Sequence, residues 1–216
     1  MIRINIICEG STEENFISKV LYPHFILKNI LVTARNIKTG SSYGKLKANV
    51  IQWLKEDSGA YVTTLLDIYG MGNKYPGYEE SKAMEPYAKA IAIEQAFKLD
   101  IKNADLSVYR FIPHFQLHEF EALLFSDCVV LEEFLSLDYN FPVGALQNIR
   151  NKFETPEHIN DSPLTSPSKR ILSVIPSYEK VADGILIAEA ISLDKLRAAC
   201  RHFNNWLTTL ENLKSA

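Results

Sequence analysis

Two short apolar runs in this chain end the same way, and that repetition narrows the fold more than any other feature. Ile4-Asn5-Ile6-Ile7-Cys8 stops at Glu9-Gly10, and Tyr61-Val62-Thr63-Thr64-Leu65-Leu66 stops at Asp67, ahead of Gly70, Gly72 and Gly77. Runs this short, rich in β-branched residues and closed by glycine, read as buried strands rather than helices. Ser11-Thr12-Glu13-Glu14 follows the first run and reads as a helix start, with Ser11 as cap and Glu14 reaching back to complete a capping box. Strand, turn and helix in that order predict an α/β fold in which parallel strands share one carboxyl edge, where open sheets place their ligand sites. Glu9 and Asp67 would both emerge at that edge, and Glu13, in the first helical turn, could face the same crevice. A carboxylate at the end of a buried strand is costly unless it is paired, solvated or bound to a cation.

A chain of 216 residues suffices for one ample α/β core but not for two full-sized domains. The expected division is residues 1–127 as the α/β core and 128–216 as a helical portion packed on it. No apolar run reaches the roughly 20 residues a bilayer requires, and no signal-peptide layout precedes the first strand, so a cytoplasmic protein without a membrane partner is expected. Cys8, Cys128 and Cys200 are odd in number and lack C-x-x-C spacing, which points to buried thiols. The net charge of −3 argues against a protein that holds nucleic acid by bulk electrostatics. It leaves open an enzyme whose acids bind a divalent cation while a local basic strip contacts phosphate.

Along the chain, a first helix is predicted from Thr12 to about Lys28, with Phe16, Val20 and Leu27 on its apolar side and Pro23 able to kink it. A strand over Ile30–Ile37 leads to the glycine- and lysine-bearing loop Lys38–Lys45, then to a helix over Leu46–Glu56. After the third strand come a helix over Tyr87–Lys98 and a fourth strand over Ser107–Pro113. Next is His118-Glu119-Phe120-Glu121, where an extended backbone would point both glutamates one way and a helix would separate them. Short helices over Val129–Leu137 and Val143–Lys152 precede a polar stretch with three prolines, Thr155–Pro167, read as a linker, surface loop or lid. That stretch delivers Ser168-Lys169-Arg170 to a helix start, where phosphate could meet amides and cations, with Lys180 nearby. Leucines and aromatics at steps of three or four predict one amphipathic helix over Leu193–Leu213.

Several segments together carry a family resemblance: C-E-G-S-T-E-E (Cys8–Glu14), L-L-D-I-Y-G (Leu65–Gly70) and Q-L-H-E-F-E-A-L-L-F-S-D (Gln116–Asp127), supported by P-S-K-R-I, I-P-S-Y-E-K and L-R-A-A-C-R-H-F-N-N-W-L. The chain resembles a Toprim-like bacterial family of unknown function, often encoded beside ATPases in phage-defence loci, and the Toprim part of overcoming-lysogenization-defect nucleases. The resemblance implies a Toprim-like (Rossmann-like) α/β fold whose acids hold Mg²⁺ or Mn²⁺ for phosphodiester hydrolysis of DNA or RNA. It places metal ligands at Glu9, Glu13 and Asp67; the chain's own residues offer Glu119, with Glu121 close behind, as the acid that substitutes for a missing ligand. Glu9, Asp67, Glu119 and Lys180 are then the catalytic candidates, and Lys169, Arg170 and Lys180 the phosphate contacts. Tyr69 stands where the second aspartate of the family's D-x-D pair would be. The alternative the resemblance allows is a non-catalytic, degenerate Toprim module that docks on a partner ATPase; self-association is compatible with either.

Overall fold

The computed structural model describes residues 1–38, 42–68, 74–104, 106–160 and 164–214, with backbone alone at 106 and 107. In chain order the strands are β1 (Ile2–Cys8), β2 (Ile30–Asn36), β3 (Ala60–Asp67), β4 (Phe111–Ile112) and β5 (Phe115–Gln116). The helices are α1 (Ser11–Phe16), α2 (Tyr22–Ile26), α3 (Tyr43–Glu56), α4 (Pro86–Ala104), α5 (Cys128–Leu135), α6 (Ala145–Arg150), α7 (Pro167–Val174), α8 (Lys180–Ile191), α9 (Leu193–Ala199) and α10 (Arg201–Glu211). The strands lie in the order β2-β1-β3-β4, with β5 pairing further along β3, and every pairing is parallel. The parallel sheet flanked by helices is the predicted α/β class.

Both faces of this sheet are covered, which is why β1 and β3 are apolar without alternation. Ile4, Ile6 and Cys8 pack with Phe16, Phe120, Phe203 and Leu207 on one side, whereas Ile7, Val62 and Leu66 pack with Val50, Phe97 and Phe115 on the other. The first cluster joins residues of the opening strand to residues of α5, α8 and α10, so the helical portion and the sheet share one core. No helix among the described residues is long and apolar enough to cross a membrane. Cys8, Cys128 and Cys200 are free and buried.

Register sets the geometry of the carboxyl edge. Cys8 lies opposite Leu65 and Asp67 lies opposite Gln116 of β5, so Glu9 leaves β1 within two residues of the level at which Asp67 ends β3. Adjacent strands are spaced by roughly 4.8 Å, and two acids at such ends are neighbours whatever their separation in sequence.

Several local expectations are corrected. Gly10, not Ser11, occupies the N-cap of α1; it makes no side-chain cap, and Glu14 instead accepts a 2.8 Å bond from the Asn36 amide. The single first helix is interrupted by a π-helical turn over Ile17–Leu21, which adds residues to the turn and lets Pro23 enter at the start of α2 without an amide to satisfy. That shift turns Leu27 outward, leaving it 88% exposed instead of on the apolar side.

The fourth strand shrinks to Phe111–Ile112. Residues Leu106–Arg110 form a 3₁₀ turn that aims the buried Arg110 guanidinium at the carbonyls of Asp57, Ala60 and Leu54, at 2.9, 2.6 and 2.7 Å. The predicted terminal helix breaks at Cys200 into α9 and α10. The break is stabilised by Glu157, fully buried, whose carboxylate accepts the amides of His202 and Phe203 at 3.0 Å each and so caps α10. The Thr155–Pro167 stretch is therefore in part interior: Pro156, Glu157, Ile159, Ser166 and Pro167 are buried, and residues 161–163 lie outside the described residues.

Candidate functional site

The carboxyl edge of β1 and β3 collects acids from four elements. Glu9, just past β1, has its carboxylate hydrogen-bonded by the Asp67 amide, and burial followed by the Glu13 charge pushes its pKa up. Glu13 is itself only 6% exposed. Its Oε2 sits 2.5 Å from where a Cβ on Gly10 would be, so this position of the carboxylate depends on Gly10 having no side chain.

Asp67 is held well above the usual carboxylate range, first by burial and then by Glu13, with Glu9 and Glu121 adding to the effect and Lys180 opposing it. Glu121 lies in the first turn of a 3₁₀ helix over Phe120–Ser126 and is fully buried. Burial pushes its carboxyl up to about 7, against the pull of Lys180. Lys180 opens α8 and places Nζ 2.9 Å from Glu121 Oε2, while Glu121 Oε1 has no hydrogen-bond partner among the described residues. Burial works against the Lys180 ammonium, yet Glu121, Asp67 and Glu119 together hold it charged. Four acids and one lysine thus form a single electrostatic network.

The remaining candidates fall around this network. Glu119, in extended backbone, turns its Oε2 to the Ser168 amide at 2.9 Å, so the anion at the start of α7 is this carboxylate. Its neighbour Glu121 turns inward to Lys180, and the two glutamates separate. Lys169 is exposed on α7. Arg170 donates from Nε to the Thr165 carbonyl at 2.7 Å and stacks at 4.8 Å on Phe153. Tyr69 and the glycines at 70 and 72 lie outside the described residues.

A cleft of about 450 Å³ opens beside the edge, bounded by Ile68, Tyr78, Lys82, Lys89, Leu117 and His118. Ile68 follows Asp67 and His118 precedes Glu119, so the cleft adjoins the acids. Lys82 and Lys89 bring cations to it, although Lys82 also pairs with Glu79 at 2.7 Å. Tyr75 senses the Glu9 charge as well as burial, both of which raise its pKa. Tyr75, Tyr78, Lys82 and Lys89 carry no motif; only their spacing around the start of α4 hints at a shared face, and the fold decides which side of it meets the acids. A further cluster, Glu94, His114 and His202, also went unread, because its members come from three distant segments.

The family model described as "Domain of unknown function (DUF4276)" matches residues 8–211, and the chain belongs to that family. Among solved structures, the C-terminal region of the Burkholderia pseudomallei OLD protein is similar to it at 15% identity and a TM-score of 0.46, with 96% of this chain and 98% of that chain covered. No curated protein matches the chain significantly.

Proposed function

We propose that this protein is a metal-dependent nuclease of Toprim type, hydrolysing phosphodiester bonds at the carboxyl edge of β1 and β3. The observation that carries the reading is the gathering of Glu9, Glu13, Asp67 and Glu121 at one edge beside Lys180, with the Asp67 carboxyl held well above its usual range by burial and then by Glu13. Packing four carboxylates together is unfavourable unless protons or cations offset the repulsion. Glu121 Oε1, unpartnered among the described residues, and the raised Glu9, Asp67 and Glu121 carboxyls suit a hard divalent cation such as Mg²⁺ or Mn²⁺, which takes oxygen ligands. Glu9, Glu13 and Asp67 would hold it, with Glu121 or Glu119 completing the set. A bound cation supplies charge neutralisation at the phosphoryl oxygens.

The chain's own residues supply the rest. Lys180, kept charged and next to Glu121, is placed to donate to a phosphate or leaving-group oxygen as negative charge develops there. Lys82 and Lys89 give the adjoining cleft the positive lining that a nucleic-acid backbone needs, within a chain of net charge −3. Lys169 and Arg170 would meet the strand beyond Glu119.

Asp67→Ala should abolish Mn²⁺-supported cleavage of DNA or RNA with an unchanged far-UV spectrum, and full residual activity in that variant would defeat the assignment. Nucleotides assayed alongside separate a small-substrate phosphohydrolase from a nuclease. The competing reading, a non-catalytic module docked on a partner ATPase, is favoured by Tyr69 replacing a second aspartate. Absence of any Mg²⁺ or Mn²⁺ binding, together with capture of an ATPase, would establish it instead.

A further inference from the structure

We propose that Glu94, His114 and His202 form a second divalent-metal site, of the two-histidine, one-carboxylate kind that takes Zn²⁺ and its transition-metal neighbours in preference to Mg²⁺. The three residues come from α4, from the corner between β4 and β5, and from the first turn of α10. One ligand atom from each lies within 4.8 Å of the others. His202 Nε2 is 2.9 Å from Glu94 Oε1, and His114 Nδ1 is 3.6 Å from the same oxygen. Ligands on a tetrahedral centre with bonds of about 2.0–2.1 Å stand about 3.3 Å apart, so these spacings bracket what such a centre requires.

A simple buried hydrogen bond accounts for Glu94 and His202 but not for His114. That ring is 1% exposed, its Nε2 is within hydrogen-bond distance of no partner among the described residues, the Gln116 side chain being a polar neighbour of the ring, and its Nδ1 is beyond hydrogen-bond range of Glu94.

The surroundings fix the three groups as an outer shell of a metal site does. The Trp206 ring stacks on His114 at 4.5 Å with 7° between planes, and the His202 ring stacks on His114 at 4.8 Å and 27°. The Phe115 amide donates to Glu94 Oε1 at 2.9 Å, and Trp206 is itself anchored by its Nε1 bond to Thr63 Oγ1 at 2.9 Å. A cleft of about 240 Å³, lined by all three residues together with Asn205, Trp206 and Thr209, leaves room for an ion and for a fourth, exchangeable ligand. Two imidazole nitrogens with one carboxylate suit Zn²⁺, Ni²⁺ or Co²⁺, whereas Mg²⁺ prefers oxygen alone. An ion there would tie α4 and α10 to the sheet.

The site reports on itself, because Trp206 stacks on one of its ligands and the only other tryptophan is Trp53. In a Trp53→Phe protein, Co²⁺ should quench at least half of the remaining emission. By calorimetry, Zn²⁺ should bind at one equivalent in Asp67→Ala, with at least 100-fold loss of affinity in Glu94→Gln and in His202→Gln, each checked for folding by circular dichroism. Zn²⁺ should also raise the Tm by about 5 °C at 100-fold excess over its Kd. Zn²⁺ stoichiometry and Trp206 emission that ignore both substitutions, or Mg²⁺ competing as well as Zn²⁺, would overturn the proposal. Mn²⁺ binding measured in His202→Gln reads the acidic cluster separately, so failure of either site is distinguishable from failure of the other.

Discussion

Replacing Glu121 by glutamine tests whether the acidic edge is under the electrostatic load its geometry implies. Folding raises this carboxyl from 4.5 to about 7, chiefly by burial. At about 1.36 kcal/mol for each pKa unit, that shift is worth about 3 kcal/mol. The sign follows from proton counting: between these two pH values the folded state binds more protons than the unfolded state, so the contribution is fully present below about 4.5 and is lost as pH rises through about 7. Metal-free wild type should therefore lose about 3 kcal/mol between pH 4.5 and 8 that Glu121→Gln does not lose, or about 6–12 °C in Tm for a chain of this size. Each protein is compared with itself, so the constant cost of weakening the Lys180 pair cancels. Urea unfolding in EDTA across that pH range gives the two curves. Adding Mn²⁺ should flatten the wild-type curve, since the cation takes the place of the protons. Parallel curves for the two proteins in EDTA would refute the load on Glu121, and with it the argument that the edge needs a cation.

Other perturbations probe the supports of the site. Gly10→Ala, at a φ of −135° that alanine tolerates, puts a Cβ 2.5 Å from Glu13 Oε2; stability should change by less than about 1 kcal/mol while calorimetry shows Mn²⁺ affinity falling about tenfold. Glu157→Ala strands the amides of His202 and Phe203 and takes one acceptor, at 3.0 Å, from the Tyr87 hydroxyl, and should cost roughly 3 kcal/mol in urea unfolding. Arg110→Met removes the donors to three interior carbonyls and should cost about 2–3 kcal/mol by the same measurement.

The chain's local chemistry already determined the frame. Continuous β-branched runs ending in Glu9 and Asp67 specify parallel strands covered on both faces, and parallel strands have a common carboxyl edge, so those acids were bound to meet. Glu13 followed because it opens the helix after β1. Reading Gly10 and Ser11 as turn and cap failed by one residue, because a cap is selected by backbone angles and by competition for Glu14, which Asn36 wins from the next strand. Leu27 was misplaced because periodicity assumes an unbroken helix, and the π-helical turn rotates everything after it.

What only the tertiary structure decided are the partners of buried charges. The sequence favours Glu119 over Glu121 by a narrow margin, yet Glu119 satisfies the Ser168 amide while Glu121 is the one buried against Lys180. The terminal apolar stripe continues through Cys200, but Glu157, more than forty positions earlier, caps a second helix there. Glu94, His114 and His202 share no spacing at all, and only the packing of α4 and α10 around the β4–β5 corner brings them within reach of one ion. Hydrophobic period is a property of neighbours along the chain, so sequence carries it; a buried charge is stabilised by whatever group the fold sets beside it, and that group can come from anywhere.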